Sequence, residues 1–259
     1  MRDNDVRKKL AAGEAALGIW VSIADPLAVE MLAIGGWDWL LIDMEHGPVP
    51  LSDAATMVTA IRAGGATPFV RPAWNESAQI QRVLDLGAYG IIVPVVNDVD
   101  AARAVVRDAR FPPLGERSRG GVRANLAFRT DPNTYSERAN DTVSVFVQTE
   151  TREAAENAVA ILAVDGVDGL FVGPNDLAAS YGMRYPDAWN SDGPYMDAVR
   201  RIPQQCRDAG KVAGILARDA AQAKEMLALG YRFVGVISDM SCLTTGAAAA
   251  LREVRGAVR

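Results

Sequence analysis

Short apolar runs recur eight times along this chain, and amphipathic spacing fills most of the intervals between them. The runs are Leu17–Ile23, Trp37–Glu45, Pro68–Pro72, Gly90–Val96, Val143–Glu150, Gly169–Pro174, Val212–Ala217 and Phe233–Ser238. Helical patterns occupy Leu51–Ala63, Ser77–Leu86, Asp98–Ala109, Arg152–Ala163, Tyr195–Ala209 and Asp219–Leu229, and a polar helix opens the chain up to about Gly13. Near-continuous apolar strands alternating with helices are the pattern of a parallel sheet, because each helical crossover returns the chain to the same edge. Gly36, Gly65, Gly87, Gly210 and Gly230 stand where helices stop ahead of the next strand. Eight such units in 259 residues predict an α/β fold, a (β/α)8 TIM barrel spanning residues 1–259 as a single domain, over an open doubly wound sheet. No linker or compositional shift divides the chain.

Composition narrows the partners. The formal net charge is −5 with no basic stripe, which argues against nucleic acid. Cys206 and Cys242 lie far apart, outside any thiolate metal pattern or disulfide framework, as expected in a reducing compartment. The first residues lack the features of a signal peptide, and no apolar stretch approaches the ~20 residues that span a bilayer. The expectation is a cytoplasmic protein with no membrane partner.

Within the repeat, Val143 to Leu177 reads strand, helix, strand, with a carboxylate at the end of each strand. Alternation along the first strand puts Phe146, Gln148 and Glu150 on one face. The second strand stops at Gly173-Pro174, followed by Asn175 and Asp176. Parallel strands joined by one helix bring both ends to one rim, so Glu150 and Asp176 become neighbours although 26 positions apart. Taken alone, the two acids are equally well read as helix caps.

Other strands aim polar groups at the same rim. In Trp37–Glu45, parity groups Leu41, Asp43 and Glu45, and acids in a buried strand need partners or a site. His46, the only histidine, follows them directly and is suited to proton exchange near neutral pH. Arg71 shares a face with Phe69 and needs an anion: Asp43 or Glu45 in an ion pair, a substrate carboxylate, or a developing oxyanion. The fourth strand adds Pro94. The turn Gly173-Pro174-Asn175-Asp176 exposes backbone N–H groups to a small anion. Two irregular segments, Phe111–Ala139 and Leu177–Pro194, are expected to overhang this rim, where barrel active sites lie.

Two oxygen ligands with space for substrate suit a hard cation such as Mg2+ or Mn2+, while one histidine without clustered thiols disfavours zinc. None of Lys8, Lys9, Lys211 and Lys224 lies at a strand's C-terminal end, so imine chemistry has no candidate. No nucleotide-binding glycine motif is present, and the last strands lack Gly-rich phosphate turns.

The stretches GIWVSIADP, WDWLLIDMEHGP, VRPAWN, VQTETREA and GVDGLFVGPNDLA resemble the class II, metal-dependent pyruvate aldolases of the HpcH/HpaI family, from about Gly18 to the final helix. The resemblance implies a (β/α)8 barrel and a carbon–carbon lyase acting reversibly on 4-hydroxy-2-oxo acids. Its substrates are pyruvate or hydroxypyruvate and an aldehyde, joined through a metal-bound enolate. It implies Glu150 and Asp176 as ligands of Mg2+, Mn2+ or Co2+, and a 2-oxo acid held by the backbone around Gly173, Pro174, Asn175 and Asp176. Arg71 would stabilise the enolate oxygen and bind substrate, His46 oriented by Asp43 would move protons, Gln148 would contact the substrate or support the groups that do, and Asp85 would contribute across a subunit boundary. Family members assemble as homo-oligomers, commonly hexamers, whose last helix packs on a neighbour. The Arg-rich GERSRGGVRANLAFR differs from heptanedioate-specific members, so the acceptor is not carried over. Arg119 and Arg123 are read as ion-pair or acceptor contacts. An oxaloacetate decarboxylase or citrate-lyase-like enzyme would use the same rim, and a barrel that binds a 2-oxo acid without turnover is the non-enzymatic alternative.

Overall fold

In the computed structural model, which describes residues 1–257, the eight runs form parallel strands that close into a barrel. They are β1 (Ala16–Val21), β2 (Trp39–Asp43), β3 (Thr67–Arg71), β4 (Gly90–Val93), β5 (Ser144–Thr149), β6 (Gly169–Val172), β7 (Val212–Leu216) and β8 (Phe233–Ser238). Each strand pairs with its neighbours in sequence, and β8 returns to β1. Several ladders stop short of the predicted runs. Glu45, Glu150 and Pro174 lie just beyond them, free of sheet pairing and able to serve the rim.

The barrel interior is filled with rings. Trp39, Phe69, Phe146, Phe171 and Phe233 form a buried cluster, with Phe146 and Phe233 stacked at 4.6 Å and Trp39 4.2 Å from Phe233. Branched aliphatics are the usual filling of such barrels. Rings need small partners, and glycine supplies them: a Cβ on Gly18 would lie 2.1 Å from the Trp39 ring, and one on Gly90 2.1 Å from Phe69. This filling pins the register, since a one-residue slip would turn each ring toward the helices. The opposite strand faces, including Ile19, Ile42, Val70, Ile91 and Val147, pack in the larger outer core beneath the helices.

Helix Asp5–Ala11 plugs the N-terminal end. Asn4 Nδ2 donates to the carbonyls of Tyr89 (2.8 Å) and Thr142 (3.0 Å), while Arg7 and Lys9 pair with Asp168 and Asp38. The predicted helix Arg152–Ala163 is two short helices, Arg152–Glu156 and Ala158–Leu162, broken at Asn157, whose side chain donates to the Asn97 carbonyl instead of solvent.

A larger correction concerns Phe111–Ala139. The segment carries helices Val122–Phe128 and Pro132–Thr142 and lies at the N-terminal end, away from the rim. The helix Val99–Ala109 has already carried the chain down from β4 before Phe111 is reached. Arg110 and Phe111 are anchored near the starts of β5 and β6 through Val143, Asn140 and Asp168. Leu177–Pro194 follows β6 and remains on the rim side, where Tyr185 bonds Gln222 at the start of helix Ala220–Leu229. Among the described residues no helix is long and apolar enough to cross a membrane.

Candidate active site

Register builds the site. Asp43 on β2 pairs directly with Arg71 on β3, and Gln148 on β5 pairs with Phe171 on β6, so Glu150 rises beside Gly173. Arg71 is 5% exposed. Its Nε and Nη2 grip the two Asp43 oxygens at 2.9 and 2.7 Å, and its guanidinium lies 4.9 Å from the Trp20 ring. Asp43 also accepts from Trp20 Nε1 and from the backbone N–H groups of Glu45 and His46. Burial raises the Asp43 pKa, but Arg71 and Trp20 outweigh it and hold the carboxyl below the usual range.

Arg71 Nη1 is less committed. It lies 3.5 Å from Gln148 Oε1, beyond an ordinary hydrogen bond, and 2.8 Å from Glu45 Oε2. The second contact is close but badly directed, so Glu45 Oε2 has a charge partner and no donor. Arg71 thus combines two of its expected roles: one edge is a structural fork for Asp43, the other faces the mouth.

Glu150, 7% exposed, accepts from Gln148 Nε2 on one oxygen and from the Val95 N–H at 2.6 Å on the other. Val95 has φ of 55°, a left-handed conformation costly for a β-branched residue, and this turn aims its N–H at the carboxylate. Burial lifts the Glu150 pKa, and Glu45 and Asp176 lift it further against the Val95 bond. Burial likewise raises Glu45, with Arg71 and His46 opposing and Asp43 and Asp176 adding. Four acids (Asp43, Glu45, Glu150 and Asp176) therefore gather at one mouth with a single arginine, which pairs with Asp43 and Glu45. Gly173 leaves open the space beside them: a Cβ there would stand 2.8 Å from Gln148 Nε2 and 3.5 Å from Glu150 Oε2. Among the described residues no three His, Cys, Asp or Glu side chains form a closed metal cage. Two mutually repelling carboxylates beside open space, with excess negative charge, fit a divalent cation that keeps other ligands of its own.

Asp43, His46, Arg71, Gln148, Glu150, Gly173, Pro174, Asn175 and Asp176 are all at the C-terminal end. One detail differs from expectation: Asp43 holds His46 by its backbone N–H at 3.2 Å, and its oxygens are taken up by other donors rather than by the imidazole. Asp176 sits in the first turn of helix Pro174–Ser180. Asp85 ends helix Ser77–Asp85 near the start of β4 and pairs with Arg117 at 2.8 Å, so it does not reach the rim of its own chain. Arg119 is exposed and Arg123 donates to Thr59; both belong to the N-terminal end. Trp20, Val95 and the full involvement of Glu45 escape a residue-by-residue reading. Trp20 had a usable signal, its inward parity with Gly18; the Val95 turn had none.

Residues 16–245 match the family model for HpcH/HpaI aldolase/citrate lyase. The chain belongs to that family. A 4-hydroxy-2-oxo-heptane-1,7-dioate aldolase of Salmonella dublin is 41% identical over 247 residues, 95% of this chain and 92% of that protein. The crystal structure of an HpcH/HpaI aldolase/citrate lyase family protein from Burkholderia cenocepacia J2315 superposes with a TM-score of 0.87 at 37% identity, covering 97% of this chain and 99% of the other. The citrate synthase SbnG gives 0.86 at 28% identity, with 98% of each chain covered. As an HpcH/HpaI family member the chain is an enzyme of the aldolase and lyase kind, and the fold and family expected from its motifs both stand.

Proposed function

We propose that this HpcH/HpaI family member is a divalent-metal-dependent aldolase. It reversibly joins C3 of pyruvate, or of hydroxypyruvate, to an aldehyde to give a 4-hydroxy-2-oxo acid. The observation that carries this reading is the crowding of carboxylates at the rim: Glu45 and Glu150 both have their affinity for protons raised by burial first and by the neighbouring Asp176 as well, and Glu45 Oε2 has no hydrogen-bond donor. Mg2+, Mn2+ or Co2+ held by Glu150 and Asp176 supplies Lewis-acid polarisation of the substrate ketone.

The remaining work belongs to the side chains and backbone. Gln148 and the Val95 N–H fix Glu150, so its carboxylate is preorganised. Leu177 donates to the Gly173 carbonyl and closes the helix turn, leaving the Asn175 and Asp176 N–H groups for the substrate carboxylate. Arg71 Nη1 stabilises the oxygen that becomes negative when C3 loses a proton. His46, exposed at the mouth, accepts that proton. The C3 electron pair then forms a bond to the aldehyde carbon, the carbonyl electrons move to its oxygen, and that oxygen takes the proton held by His46 to become the 4-hydroxyl, which restores the base. Cleavage is the reverse.

The same proposal includes a homo-oligomer, a hexamer by family likeness, working in a reducing cytoplasm on small molecules. Helix Asp239–Ala257 leaves Met240, Leu243, Leu251 and Val254 each about half or more exposed, the surface a neighbouring subunit would cover. Asp85 would then act at the neighbour's mouth.

The test is exchange of the pyruvate methyl protons in D2O, followed by NMR with and without added Mn2+. Metal-dependent exchange, suppressed by chelator and by Glu150→Gln, is the expected result. No exchange at any metal concentration would remove the enolate chemistry and leave a barrel that binds without turnover.

A further inference from the structure

Strict alternation along β8 would put Phe233, Gly235 and Ile237 inside the barrel and turn Ser238 toward the helices. The ladder departs from this. Gly18 on β1 pairs with Gly235, but the next β1 residue, Ile19, pairs with Ile237, and Trp20 pairs with Ser238. The extra residue, Val236, is a β-bulge that reverses parity for the end of the strand. Ile19 and Ile237 accordingly pack in the outer core, while Trp20 belongs to the interior cluster. Ser238 is thereby turned inward with Trp20, at the mouth.

It is held there. Asp239, 5% exposed, accepts from the backbone N–H groups of Ser22 and Ile23 at 2.9 and 2.8 Å, locking the end of β8 to the loop after β1. Ser238 Oγ donates to Ser241 Oγ at 3.0 Å and accepts from the Ser241 N–H at 3.2 Å, which leaves the Ser241 hydroxyl proton available.

Both serines line a cavity of about 250 Å3 shared with Asn175, Tyr185, Leu216 and Arg218. Asn175 adjoins Asp176 in sequence, and Leu216 packs against the interior rings, so the cavity opens beside the barrel mouth. Gln222 braces two lining residues from behind: Oε1 accepts from Tyr185 Oη and from the Arg218 N–H, each at 2.7 Å. Tyr185 has spent its proton and offers lone pairs; Ser241 offers a proton. Arg218, the one cation of the lining, already pairs with Asp219 at 3.1 Å; a carboxylate needs donors alone, whereas a hydroxyl needs a donor and an acceptor together.

We infer that this cavity is the acceptor subsite, built to take a short hydroxylated aldehyde through Ser241, Tyr185 and Asn175 and to disfavour an apolar chain. The inference rests on the aldolase reading above and adds to it the class of the second substrate. A pocket that hydrogen-bonds a substrate hydroxyl disfavours the analogue lacking it, because an apolar chain would cover the half-buried Ser241 and Tyr185 hydroxyls without pairing them.

The experiment compares kcat/KM for addition of pyruvate to glycolaldehyde and to propanal, and to succinic semialdehyde as the long acidic acceptor, using the Mn2+-supplemented wild-type enzyme. Glycolaldehyde is expected to win by roughly tenfold or more over each. Ser241→Ala and, as a second variant, Tyr185→Phe should each bring the glycolaldehyde-to-propanal ratio down several-fold. That ratio is read within one protein, so it is insensitive to the folded fraction. A wild-type ratio near one, a preference for succinic semialdehyde, or a ratio untouched in both variants would overturn the subsite while leaving the aldolase reading intact. Failure of wild-type enzyme to exchange pyruvate protons would instead bring down the aldolase reading and this inference with it.

Discussion

The two ends of the barrel use the same residue types to opposite ends. At the N-terminal end Arg110, 2% exposed, donates to the carbonyls of Gly166, Asn140 and Val143 and to Asp168 at 2.6 Å. Asp168 also receives Arg7 at 2.6 Å and the Val145 N–H at 2.7 Å. Within this Arg110–Asp168 network charge and hydrogen-bonding capacity are met by the chain itself. At the C-terminal end four carboxylates gather, only Asp43 and Glu45 pair with the one arginine, an oxygen of Glu45 has no donor, and a left-handed valine holds Glu150 in place. A satisfied network stabilises a fold; an unsatisfied one is kept in spite of its effect on stability, and that is the physical mark of a site.

The contrast can be broken from either side. The largest effect on reaction is expected from Glu150→Gln, which should slow pyruvate proton exchange by about 100-fold or more. In metal-free protein the same change should raise the melting temperature, because it removes a buried charge that its neighbours disfavour. A lower melting temperature would mean that the rim is structural after all. At the other end, Arg110→Met leaves Asp168 and three carbonyls short of donors and should cost about 3–5 kcal/mol in urea unfolding. Exchange per folded molecule should stay near wild type.

Arg71→Lys tests the boundary between the two regimes. It keeps the charge and loses the fork, so exchange should fall by roughly 100-fold with a stability loss of about 1–2 kcal/mol. The smallest effect concerns pH. The folded pKa of Asp43 is lowered, so its contribution is present above the unfolded value of about 4 and is lost as pH falls through the folded one. Glu45 and Glu150 have raised folded values, so metal-free protein should lose stability as pH rises from about 4 through those values. Urea midpoints measured across that range should show the falling limb in wild type and a flatter one in Glu45→Gln. An unchanged slope would put the two acids outside each other's field.

Much of this was legible from residue order. Asp43, Arg71, Gln148 and Glu150 follow from two rules, alternation along a strand and return of parallel strands to one rim, and neither rule depends on distant contacts. Phe111–Ala139 is misplaced whenever a long loop is read as the continuation of a strand end. The helix Val99–Ala109 lies between them and reverses the direction of travel. Val95 and Ser238 mark a deeper limit. A positive φ in a valine and an extra residue in one strand of a ladder are set by packing around the whole barrel. Neither leaves a local pattern in VPVVN or VGVISD.

The stitch between Asp239 and the N–H groups of Ser22 and Ile23 also bears on how the molecule comes into being. Those partners are 217 and 216 positions apart. Until the last strand has emerged from synthesis, β1 and β7 are open edges, the exposed templates from which strand-to-strand aggregation starts. A nascent chain ending before Phe233 already holds His46, Arg71, Glu150 and Asp176, yet it lacks the wall that carries Ser238 and Ser241. Chemistry and selectivity are thus completed at different moments of the protein's birth, and a single carboxylate fastens the second to the first.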